Sequence, residues 1–138
     1  MKSYQHTQGA TNIVIVLSAS SLVLAIAAVF CPPLLLAAPL VIFTAWLFHS
    51  LTIEITDGEL RWQFGPGWIR KHISLNEIVS ARVVRICVLE GWGIHYSRFG
   101  WLYNAEGFDA VAIVLRNGKR FCLGTDEPEA LMARLARQ

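Results

Sequence analysis

Two apolar runs of 18 residues each, Ile13–Phe30 and Leu34–Leu51, lie in the first third of the chain, separated only by Cys31-Pro32-Pro33. Each approaches the ~20 residues a helix needs to cross a ~30 Å hydrocarbon core. Leu, Ile, Val and Phe dominate both, at roughly −0.3 to −0.6 kcal/mol apiece for insertion. Neither carries a polar stripe at helical spacing, which a helix half in water requires. The pattern predicts two membrane-spanning helices over 13–51. Prolines 32 and 33 suit the turn, because proline lacks an amide donor and biases the residue before it away from helix. Pro39 lies in the first turns of the second run, where a kink is tolerated. A cleaved leader would need a short apolar centre and a small-residue exit; Val29-Phe30-Cys31-Pro32 is a poor one, and the second run would be left without a home.

After Leu51 the period drops from helical to two. Ile53 and Ile55 alternate with Thr52, Glu54 and Thr56, and Leu60, Trp62 and Phe64 alternate with Arg61 and Gln63. Asp57-Gly58 between them is a strong two-residue hairpin signal. Gly65-Pro66-Gly67 predicts the next turn, with strands over 68–74 and 78–86 after it. The stretch 87–108 is irregular, with one short extended piece, 94–98, flanked by Gly91-Trp92-Gly93 and Gly100-Trp101-Leu102-Tyr103-Asn104. Glycines beside tryptophans point to tight turns next to large packed rings. A second hairpin follows, 109–116 and 119–124 about Asn117-Gly118. The chain closes on an amphipathic helix: Asp126 is the expected cap, Pro128 and Glu129 sit in the first turn, and Leu131, Met132 and Leu135 form the apolar face. Seven short strands and a helix predict a curled antiparallel sheet closed at one end.

Charge sharpens the division. Between Lys2 and Glu54 there is no Asp, Glu, Lys or Arg, so all ten acids and all but one of the twelve basic residues come later. The organisation expected is a tail over 1–12, a transmembrane hairpin over 13–51 and a domain in water over 52–138. Lys2 before the runs, and Arg61, Arg70 and Lys71 after them, predict that both termini are cytoplasmic. The later part is too evenly charged for nucleic acid, which wants a concentrated basic face.

The later two thirds resemble a bacterial pleckstrin-homology-like domain, and the whole resembles small bacterial membrane proteins that set two spanning helices before one. The resemblance is carried by Asp57-Gly58-Glu59-Leu60, Phe64-Gly65-Pro66-Gly67-Trp68, Gly91-Trp92-Gly93-Ile94, Gly100-Trp101-Leu102-Tyr103-Asn104 and Gly124-Thr125-Asp126-Glu127-Pro128. It implies an α+β fold, with a seven-stranded antiparallel barrel or sandwich capped by the terminal helix. It also implies a bacterial inner-membrane location and a binding scaffold rather than an activity. Relatives that bind inositol phospholipids use basic loop clusters, to which Arg61, Arg70 and Lys71 are a thin counterpart.

No pattern in the sequence points to catalysis. Cys31, Cys87 and Cys122 are scattered, without disulfide or metal spacing. His6, His49, His72 and His95 are isolated, and Gly91-Trp92-Gly93 lacks the ending and helix of a phosphate loop. No cofactor and no metal are expected. The segment 92–104 remains, holding Trp92, His95, Tyr96, Arg98, Phe99, Trp101 and Tyr103. Its rings suit either core packing or a recognition surface, where Trp, Tyr and Arg dominate. Arg98, Trp101, Tyr103 and Asn104 are the ligand-binding candidates. Trp62, Trp68, Arg70 and Lys71 are candidates for contact with anionic headgroups.

The function expected from sequence is therefore a non-enzymatic integral membrane protein presenting a binding domain at the cytoplasmic face. An accessory or regulatory subunit of a membrane enzyme or transporter is the second reading. The partners expected are the lipid bilayer, another membrane protein or a peptide, and a second copy of the chain. Ser18, Ser20, Ser21 and several alanines in the first run would permit close helix approach.

Overall fold

In the computed structural model, residues 3–90 and 93–137 are described. Strand β1 (Tyr4–Gly9) leads into helix α1 (Thr11–Ala27), a short 3-10 turn at Pro32–Leu36 and helix α2 (Ala37–Leu47). Strands β2 (Ser50–Thr56), β3 (Glu59–Phe64) and β4 (Ile69–Ser74) then run as a meander. Asp57 and Gly58 join β2 to β3 with φ of 54° and 77°, the two left-handed residues whose twist matches the flanking strands. The first sheet is antiparallel throughout, in the order β1-β2-β3-β4.

The second sheet holds β5 (Ile78–Arg85), β6 (Gly93–Ser97), β7 (Gly100–Asn104), β8 (Asp109–Leu115) and β9 (Arg120–Gly124), in the order β5-β8-β9-β7-β6. Between the sheets lies one core. Leu51, Ile53 and Ile55 of β2 and Leu60, Trp62 and Phe64 of β3 meet Val111, Ile113 and Leu115 of β8 and Phe121 and Leu123 of β9. Helix α3 (Pro128–Leu135) closes one end against β5 and β8, with Leu131 wholly buried. Asp126 does not cap it. The Glu127 amide donates to Thr125 Oγ1 at 3.1 Å, and Asp126 instead accepts the His6 ring at 2.6 Å, tying β1 to the start of the helix.

The membrane-spanning expectations do not survive. No helix among the described residues is long and apolar enough to cross a membrane. At 1.5 Å per residue, the 17 residues of α1 span about 26 Å and the 11 of α2 about 17 Å, short of the ~30 Å core. The transmembrane hairpin over 13–51 is therefore corrected, and with it the multi-pass inner-membrane location, the cytoplasmic placement of both termini and the membrane-spanning function in both its forms. The physical reason lies at the ends of the runs. Leu34–Leu36 form the 3-10 turn, Phe48 and His49 leave the helix, and Leu51 is already a buried core residue of β2. A hydrophobicity count cannot separate a helix end from a core strand that follows it directly.

The seven-stranded antiparallel fold class is corrected too. Nine strands are found among the described residues, in two sheets, and β7 runs parallel to β9. The helical pair does not precede the β domain but is inserted between two paired strands, β1 and β2. The ends of the insertion meet where the Ala10 amide donates to the His49 carbonyl at 2.7 Å. The β3–β4 turn supports its base: a Cβ on Gly65, at φ 47°, would lie 2.5 Å from the Leu47 carbonyl oxygen.

Candidate functional site

A cleft of about 1060 Å³ opens between β4, the outermost strand of the first sheet, and the β6–β7 hairpin of the second. Its floor is aromatic. Trp62 of β3 stacks on Phe121 of β9 across the sheets, 4.9 Å between centroids and 17° from parallel, while Tyr103 of β7 meets Trp62 edge-on at 5.4 Å. One wall carries two exposed rings, Tyr96 and Trp101, paired by register and T-shaped at 5.9 Å. The rim is basic: Lys71 from β4, Arg98 from the β6–β7 turn, and Lys119 and Arg120 from the β8–β9 loop, against the single carboxylate of Glu77. Among the described residues Lys71, Lys119 and Arg120 enter no ion pair.

Strand alternation assembles these side chains. In β4, Ile69 and Ile73 turn toward the core, so Lys71 between them reaches the cleft opposite Trp62. In β6 and β7 the register pairs Ile94 with Tyr103 and Tyr96 with Trp101, which brings all four to the cleft. Their neighbours face the opposite way: Leu102 packs with Ile86, Ala110, Ala112 and Cys122 in a second, smaller core.

Five of the eight residues singled out from sequence line this one cleft: Arg98, Trp101, Tyr103, Trp62 and Lys71. Arg98 is held in place, its Nη2 donating to the Arg85 carbonyl at 3.0 Å, its Nε 3.4 Å from Glu90 and its guanidinium 4.7 Å above the Phe99 ring. Trp62 is buried, and its indole N–H has no hydrogen-bond partner among the described residues. Burial raises the Tyr103 hydroxyl above its ordinary pKa. Asn104 is elsewhere, fully buried with its amide donating to the Gly107 carbonyl at 3.1 Å. Trp68 and Arg70 do not line the cleft either: Trp68 packs on Phe43 and Trp46 at the base of the helical pair, and Arg70 is exposed on β4. Trp92 lies outside the described residues. Sequence reasoning missed Lys119, Arg120 and Phe121 as site residues. The signal was present, since the turn at 117–118 fixes which side chains of β9 share the face of Val111.

The chain matches no family model, no curated protein and no solved structure.

The site's chemistry must accordingly come from its own side chains. Cys122, the cysteine of β9, is fully buried, and burial followed by the nearby Glu90 charge pushes its thiol up to about 11. A thiol so protonated is a poor nucleophile at neutral pH. Among the described residues no group of three His, Cys, Asp or Glu could hold a metal. A second depression of about 500 Å³ lies over the outer face of the first sheet. There Glu54 and Glu59 face Arg61, Arg70 and Lys71, the last shared with the inter-sheet cleft, and Arg61 is already paired with Glu59 at 2.7 Å. The inter-sheet cleft is the better candidate, because three of its four cations enter no ion pair among the described residues and the Tyr96 and Trp101 rings are exposed.

Proposed function

We propose that this chain is a binding protein whose inter-sheet cleft holds an extended, acidic peptide segment of a partner. The observation that carries the reading is a coincidence of position. Among the described residues strand β4 ends its sheet with an unpaired backbone edge, and that edge borders the cleft with Lys71, Lys119 and Arg120, which enter no ion pair, and with exposed rings. An edge strand offers a row of amides and carbonyls to an added strand. Alternate side chains of such a strand would face the basic rim, and the others would pack on Tyr96 and Trp101, rigid rings that bury area at little entropic cost.

Binding of an array of extended peptides graded in acidic content tests this. Acidic members are expected to bind most tightly, with affinity falling as salt rises. Lys71→Glu and Lys119→Glu are each expected to weaken them by roughly threefold to tenfold. Equal binding of neutral and acidic peptides, or indifference to both substitutions, would refute the reading.

A further inference from the structure

The α1–α2 pair has almost no cover. Of its two helices only Ile13, in the first turn, is buried against the β domain. Ile15, Leu22, Val23 and Ile26 of α1 and Leu40 and Ile42 of α2 are exposed, and at the tip Val29, Phe30 and Leu36 are 78%, 89% and 81% exposed. Helices apolar around their whole circumference are buried in protein or in lipid. We infer that this pair sits in the hydrocarbon of a lipid membrane, entering from the side of the β domain and stopping short of the far headgroups.

Three independent observations favour lipid over a second copy of the chain. A two-fold partner covers one side of a helical pair, whereas here the apolar surface continues over both helices and around the tip; hydrocarbon covers all of it. Three of the five hydroxyls on the pair are satisfied internally: Ser20, Ser21 and Thr44 donate to the carbonyls of Val16, Leu17 and Leu40 at 2.8, 3.0 and 2.9 Å. Polar groups need such internal partners where no water is present. The base of the pair also has the composition of a lipid–water boundary. Phe43, Trp46 and Trp68 form a ring cluster with centroids 5.5–5.7 Å apart, Trp68 is 69% exposed, and the exposed Arg70 follows on β4. Amphipathic rings prefer that depth, and Arg70 would face headgroups. The helix lengths set the limit of penetration: about 26 Å for α1, part of it seated on the domain, does not reach across a ~30 Å core.

Cys31 at the tip is exposed and serves as a native reporter. The full chain carrying Cys87→Ser, labelled at Cys31 with an environment-sensitive fluorophore, would be mixed with phosphatidylcholine vesicles, with and without phosphatidylserine. The expected result is a blue shift, quenching by lipids brominated deep in their acyl chains, and no reaction of unlabelled Cys31 with an impermeant thiol reagent trapped in the lumen. Phe30→Asp, at a position that supports nothing in the β domain, is expected to lower partitioning by roughly a hundredfold with the thermal unfolding of the domain unchanged. Three results would overturn the inference. The label staying open to aqueous iodide would exclude lipid, reaction from the lumen would mean full crossing, and a discrete dimer shielding Cys31 before vesicles are added would assign the surface to a second copy.

Discussion

Two glycines separate backbone strain from collision. A Cβ on Gly124 would lie 2.1 Å from Asn104 Oδ1, a buried side chain with no room to retreat. Gly118 meets nothing within 4 Å, but its φ of 81° is one that L-residues rarely adopt. Gly124→Ala should therefore cost about 2–4 kcal/mol through overpacking, and Gly118→Ala about 1 kcal/mol through backbone strain alone. Urea unfolding of the two variants checks the order, and equal losses would remove the role given to Asn104 as a packed structural residue. Tyr4 supplies a pH signature at the same scale. Desolvation, followed by the Glu127 charge, pushes its hydroxyl up to about 12 from 10.0. The folded state holds this proton more tightly than the unfolded chain does, so the contribution is complete below about pH 10 and is lost as pH rises toward 12. Stability measured across that window should fall less steeply in Tyr4→Phe than in the parent chain.

Elements with an alternating pattern were legible in the sequence, and those without one were not. β2 and β3 bury alternate apolar residues, β8 and β9 set Val111, Ile113, Phe121 and Leu123 toward the main core and Ala110, Ala112 and Cys122 toward the smaller one, and the turns carry Asp-Gly or Asn-Gly. The second hairpin still differs in detail: only Gly118 is left-handed, and the loop closes through Leu115 and Lys119 rather than two central residues. β1 had no such signal. Tyr4-Gln5-His6-Thr7-Gln8 becomes a strand because β2 offers it an edge and the acids before α3 hold its histidine. β7 was hidden for the opposite reason, its glycine and aromatic content reading as a turn although it lies between β9 and β6. The same misreading obscured the site, since Trp101 and Tyr103 share a face only if Gly100–Asn104 is a strand. The junction of α1 rests on a long-range contact that no local pattern announces. Glu106, in the β7–β8 loop, accepts the Thr11 amide at 2.8 Å and the Asn12 side-chain amide, placing a carboxylate at the helix start. Glu106→Ala should cost about 1 kcal/mol. Hydrogen exchange would rise in the first turn of α1 and stay unchanged in β8; uniform change across both would mean that the contact does not act locally.

At the scale of the molecule the chain is two materials meeting at one narrow seam. The helical pair departs from and returns to adjacent positions, Ala10 and His49, which follow the last register pair of β1 and β2, Gly9 with Ser50. Replacing residues 11–48 by Asn-Gly would turn β1 and β2 into an ordinary hairpin, because that dipeptide supplies the two left-handed residues such a turn requires. The excision removes one buried side chain of the core, Ile13, and the partly buried Leu17 and Phe48. The loss expected is about 3 kcal/mol, partly offset because a two-residue link closes at less entropic cost than the native insertion. The shortened protein should remain folded, stay dispersed without detergent and lose its partition into vesicles, while retaining affinity for acidic peptides at the cleft. Circular dichroism, vesicle flotation and the peptide array read these properties separately. Loss of peptide binding in a folded, excised domain would show that the cleft depends on the helical pair, and the two would then have to be understood as one site.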